Sequence, residues 1–133
     1  MIKYKAGYKY QLVEGDSWET DIIPDMPIDT PFISLGTDGL LHTKAGYAWD
    51  GPSGPTFDTK TFMRGSLFHD ALYQLMREGH ITRNGNRTKA DKVLREVCLS
   101  DGMWKVRAWW VYKAVRKGAE RSSQHGRPIL EAP

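Results

Sequence analysis

Thr59-Lys60-Thr61-Phe62-Met63-Arg64-Gly65-Ser66-Leu67-Phe68-His69-Asp70-Ala71-Leu72-Tyr73-Gln74-Leu75-Met76-Arg77 is the segment on which the architecture turns. Its apolar residues recur three and four apart, the spacing of one face of an α-helix. Asp58 or Thr59 can cap the start and Gly79 can end it. On such a helix His69 shares a face with Phe62, Gly65, Ser66, Leu72, Tyr73 and Met76. That face is the inward one. Asp70 lies about 100° further round, beside Ser66 and Gln74, at the edge of the apolar stripe. An imidazole set among core residues needs partners, because burying an unpaired polar group is costly.

Downstream, Asn84-Gly85-Asn86 reads as a turn, followed by a second helix over 88–99 closed near Gly102. Its apolar stripe is Ala90, Leu94, Val97 and Cys98, and Asp91 points with them. His69 is the obvious donor to that carboxylate, and Arg87, one turn earlier, is another. A third helix is expected over 103–121. Upstream, residues 8–13 alternate as a strand, and 14–31 read as irregular because of Pro24, Pro27 and Pro31. Residues 32–35 and 40–43 form a hairpin around Thr37-Asp38-Gly39, extended over 45–49 with a bend at Gly46. Asp50-Gly51-Pro52-Ser53-Gly54-Pro55 is a fixed loop that can hold Asp50 and Ser53 over a helix start. The expectation is one α+β domain over 1–133. A small antiparallel sheet or hairpin within 1–58 packs on three helices within 59–121, and a polar surface tail follows at 122–133.

The 133 residues, 40% of them hydrophobic, suffice for one core. The single cysteine, Cys98, excludes an intrachain disulfide and a Cys-rich zinc site. The N-terminal residues carry no apolar run, so no signal peptide is expected. Nothing approaches the ~20 apolar residues of a membrane span, and no membrane partner is expected. The net charge of +3 conceals an asymmetry. Residues 1–58 carry four Lys/Arg against nine Asp/Glu, and residues 59–133 carry fifteen against seven. The halves can attract each other across the fold, or the basic half can face nucleic acid.

Three segments carry a family resemblance: Ala45-Gly46-Tyr47-Ala48-Trp49-Asp50-Gly51-Pro52-Ser53-Gly54-Pro55, then Gly65-Ser66-Leu67-Phe68-His69-Asp70-Ala71-Leu72-Tyr73, then Arg87-Thr88-Lys89-Ala90-Asp91. With Tyr112-Lys113-Ala114-Val115-Arg116 on the third helix, the chain resembles the phage and prophage family called domain of unknown function 1353 over about residues 40–118. The resemblance implies a viral or prophage origin, with host cytoplasm or virion as location, and it confers no activity.

The polar residues admit several readings. Asp50, His69, Asp70 and Asp91 are candidate catalytic groups of a hydrolase, with Ser53, Tyr73 and Arg87 as candidate substrate contacts. His69, Asp70 and Asp91 are also candidate ligands for a divalent metal ion, which would activate a water. A metal-free variant would use His69 as general base, with Ser53 as nucleophile. Alternatively the cluster is a hydrogen-bond network that pins the loop to the helices of a virion, assembly or host-interaction protein. Trp104, Trp109 and Trp110 exceed what one helix face readily buries. At least one is therefore expected to meet a protein partner or a second subunit. Interleaved with Lys105, Arg107, Lys113, Arg116, Lys117 and Arg121, they could also grip nucleic acid.

Overall fold

The computed structural model describes residues 4–5, 10–49 and 60–118. Seven short strands precede three helices: β1 (Tyr4–Lys5), β2 (Tyr10–Leu12), β3 (Asp16–Glu19), β4 (Ile28–Asp29), β5 (Ile33–Leu35), β6 (Leu40–Thr43), β7 (Ala48–Trp49), α1 (Lys60–Arg77), α2 (Asn86–Ser100) and α3 (Lys105–Gly118). The arrangement is α+β, with antiparallel sheets in the N-terminal half and the helices after them, as the sequence implies.

The strands form two sheets, one in the order β1-β2-β7 and one in the order β3-β6-β5-β4. The expected hairpin is the centre of the larger sheet, with Ile33 opposite Thr43 and Leu35 opposite Leu41. Alternation decides which face is buried: Ile33, Leu35, Leu41 and Thr43 point inward, while Leu40 and Ser34 do not. Two strands correct the expectation that 14–31 is irregular. β3 pairs along the whole of β6 from Asp16↔Thr43 to Glu19↔Leu40, and β4 adds Ile28↔Leu35 at the other edge. Asp-Ser-Trp-Glu has little intrinsic strand preference, so pairing with β6 supplies what local sequence lacks.

On α1, Leu67, Phe68, Ala71, Leu72 and Leu75 are completely buried, each larger side chain contributing roughly 1.5–3 kcal/mol by leaving water. The helix ends as expected: Gly79, at φ 80°, donates to the Met76 carbonyl and His80 to that of Leu75. Satisfying the last free carbonyls through a glycine with positive φ is a common way to stop a helix. α2 opens slightly earlier than expected, at Asn86, and its last carbonyls accept from Gly102 and Met103.

Gly65 sets the approach of α1 to α2. A Cβ there would lie 2.7 Å from the Cys98 sulfur and 2.9 Å from Leu94 Cδ1. With Gly65 opposite Leu94 and Cys98, and His69 opposite Asp91 one turn on, the two helices run antiparallel. α3 closes a second apolar cluster, placing Ala108 and Val111 with Phe62, Leu94, Cys98 and Met103. Burial there pushes the Cys98 thiol up to about 12, so it stays a neutral packing group. The other face of α3 is open: Val106 is 68% exposed, Trp109 43% and Trp110 64%, and Trp104 just before the helix is 82% exposed. Among the described residues no helix is long and apolar enough to cross a membrane. The 50–55 loop and the 122–133 tail lie outside the described residues.

Candidate functional site

Four side chains from three helices meet at Asp91, which is wholly buried. His69 and Tyr73 sit four apart on α1 and therefore one above the other. His69 Nε2 lies 2.7 Å from Asp91 Oδ1, and the Tyr73 hydroxyl donates to the same oxygen at 2.6 Å. Their rings lie 4.2 Å apart between centroids. From α3, Arg116 donates to Asp91 Oδ2 at 3.0 Å. Both carboxylate oxygens are therefore occupied. The second imidazole nitrogen faces Asp70, with Nδ1 3.7 Å from Oδ1, outside hydrogen-bond range but close enough for charge to act.

Electrostatics bias the protonation of the cluster. Burial works against a charged His69 ring, but the nearby Asp70 carboxylate and the hydrogen-bonded Asp91 carboxylate outweigh it and raise its pKa above 6.5. Burial likewise works against ionised Asp91, and His69, Tyr73 and Arg116 together hold its pKa below the usual value. Burial and the Asp91 charge push the Tyr73 phenol well above its ordinary range, so it remains a donor. The result is a cluster that favours the protonated His69 ring, with Nε2–H donating to Asp91 and the Arg116 cation on the other carboxylate oxygen.

The residues expected to share a site separate into groups. His69, Tyr73 and Asp91 converge. Asp70 flanks them with its side chain one-third exposed. Tyr73 and Arg87, expected to contact substrate, have intramolecular partners: Tyr73 bonds Asp91, and Arg87 donates to the Arg116 carbonyl at 3.4 Å rather than to Asp91. Asp50 and Ser53 lie outside the described residues. His42 sits on β6, with Nδ1 2.6 Å from the Ser17 hydroxyl, and takes no part. Sequence reasoning missed Arg116 as the cation of the cluster. The available signal was its place on the inward stripe of α3, four residues after Tyr112 and eight after the buried Ala108.

Asp70 and Asp91 approach different edges of the His69 ring, so the three do not aim at one point. Among the described residues no group of three or more His, Cys, Asp or Glu side chains is placed to hold a metal ion. Chemically the cluster can hold a proton on His69 and fix three helices. Its more exposed edge is the one facing Asp70.

A second ionic cluster lies nearer the surface. Arg64 Nε donates to Asp16 Oδ2 on β3 at 2.6 Å, and its Nη1 lies 3.4 Å from Asp101 Oδ1 at the end of α2. Its guanidinium stands 5.2 Å from the Trp18 ring and 5.6 Å from the Phe68 ring.

Comparison with known proteins adds one finding. No curated protein and no solved structure matches the chain. The family model described as "Protein of unknown function (DUF1353)" matches residues 28–115, a span that takes in the larger sheet from β4 onward, the Asp91 cluster up to Val115 and most of α3. With two-thirds of its length inside that match, the chain belongs to the DUF1353 family.

Proposed function

We propose that the chain is an interaction module of a phage or prophage, in which the Asp91 cluster locks three helices and α3 offers its tryptophan face to a protein partner. The phage part rests on the sequence resemblance. The observation that carries the structural reading is Asp91 itself: a fully buried carboxylate whose two oxygens are taken by donors from α1 and α3. A carboxylate so occupied, and wholly buried, anchors its donors. Arg116 connects the two halves of the proposal, since the residue that engages Asp91 belongs to the same helix that exposes Trp109 and Trp110. Exposed aromatic groups clustered on one rigid element are what protein interfaces use as anchors.

The test is denaturant unfolding of His69→Ala. A lock loses roughly 1–3 kcal/mol when Asp91 is left short of a donor. Unchanged stability would contradict the lock. A hydrolase reading is favoured by one feature, the His69 edge that faces partly exposed Asp70. It requires that His69→Ala keep its stability and lose turnover.

A further inference from the structure

We propose that the occupant of the α3 tryptophan face is a second copy of this chain, engaged head to tail through an acidic groove beside the start of α2. This rests on the reading of α3 as an interaction face and goes beyond it by naming the partner and the receiving surface.

The donor surface is one stripe. Val106, Trp109, Trp110 and Lys113 are spaced three and four apart and all are exposed. Trp109 and Trp110 meet edge to face with centroids 5.8 Å apart, and the Lys113 ammonium stands 5.5 Å from the Trp109 ring centre. The stripe is therefore an ordered aromatic surface with a cation on it. α3 contains five Lys/Arg and no Asp or Glu.

The receiving surface has the opposite character. The segment joining β3 to β4, together with the α1–α2 connection, encloses a groove of about 480 Å³. Ile22, Ile23, Pro24, Met26 and Ile28 supply apolar lining, and Asp21 and Asp25 supply negative charge against Lys89, whose ammonium donates to the Asp21 carbonyl. Ile23 is 57% exposed and Met26 74%, so apolar surface lies open here too. Residues 19–29 contain Glu19, Asp21, Asp25 and Asp29 and no Lys or Arg, with Asp29 paired to Lys44 beside the groove. The volume falls within the range of ~300–1,000 Å³ that proteins use to seat compact ligands, ample for an indole.

One molecule cannot join its own two surfaces. The groove is lined by Asn86 and Lys89 in the first turn of α2, whereas the N-terminal half of α3 packs with Leu94 and Cys98 toward the other end. Lys89 and Cys98 are separated by roughly 14 Å along the helix axis. Both indoles are open to solvent. Complementarity in charge and in apolar surface is thus built into one sequence but must be realised between two molecules. Such an interface is heterologous, so it propagates until it closes into a ring or continues as a filament.

Sedimentation velocity of the full chain, from micromolar to millimolar concentration, tests this. Wild type should self-associate, and should do so less at higher salt. Trp110→Ser and Asp25→Lys should each weaken association by about tenfold or more, since central aromatic and paired charged positions dominate interfaces. Met26→Asp serves as a second groove variant, and circular dichroism of each variant checks that these exposed changes leave the fold intact. The decisive arm mixes Trp110→Ser, which keeps its groove, with Asp25→Lys, which keeps its face. The mixture should form dimers and stop there. A wild-type chain that stays monomeric throughout would overturn the proposal. So would self-association lost with Trp110→Ser but kept with both groove variants, an outcome that leaves the α3 interaction face standing and removes the groove. Salt-sensitive binding of a thymidine oligonucleotide by a monomer, abolished by Trp110→Ser, would also overturn it and assign the face to nucleic acid.

Discussion

The two ionic clusters of this domain use the same chemistry at different depths. Both join helices through carboxylates and cations. Around Asp91 the carboxylate is completely inaccessible, and its partners come from α1 and α3. Around Arg64 every member is partly wetted, with side-chain exposures of 17% for Arg64, 25% for Asp16 and 20% for Asp101. Water can replace a lost partner throughout the second cluster; in the first it reaches Arg116, 28% exposed, but not the Asp91 carboxylate. The difference teaches that burial, more than the count of ion pairs, decides how much of the fold depends on a residue.

The comparison breaks most readily at Asp91. Asp91→Ala strands His69, Arg116 and the Tyr73 hydroxyl beside an apolar void and should cost about 3–5 kcal/mol in urea unfolding. A cost below that of an Arg64 substitution would invert the ranking. Arg64→Ala removes two part-exposed ion pairs and the contacts over Trp18 and Phe68, which sets its cost at about 1–2 kcal/mol. Added salt should erode the Arg64 contribution and leave that of Asp91 nearly unchanged, because exposed charges are screened and buried ones are not.

The smallest effect sharpens the contrast through pH. Folded His69 holds its proton more tightly than the unfolded chain does, so its contribution is complete below about pH 6.5 and fades as pH rises through the higher folded value. Asp91 behaves in the opposite sense. Its contribution is complete above its ordinary value near 3.8 and fades as pH falls through the lower folded one. Stability followed by denaturant midpoint should therefore decline on both sides of the interval between them. His69→Gln should flatten the alkaline arm and keep the acid one.

Much of this was legible from residue order. The three helices follow from three- and four-residue spacing, and the β5–β6 hairpin from Asp38-Gly39. The meeting of His69 and Asp91 follows from placing a carboxylate among Ala90, Leu94, Val97 and Cys98, where it cannot stay unpaired. β3 was hidden because Asp-Ser-Trp-Glu shows no apolar alternation and is recruited by the free edge of β6. β4 was hidden because two residues after Pro27 carry too little pattern to read. Arg116 was hidden among the cations of α3, most of which face water, and only its register with Ala108 separates it from them. The groove beside α2 could not be read at all, since it is formed by segments that are adjacent only after folding.

The most direct measurement is a double-mutant cycle between His69→Ala and Asp91→Ala, read by equilibrium urea unfolding. A cluster that holds the helices as one unit predicts strong coupling: with Asp91 already gone, removing His69 should cost little more. Costs that add to within about 0.5 kcal/mol would mean the two residues act independently, and the account of a shared lock would be wrong.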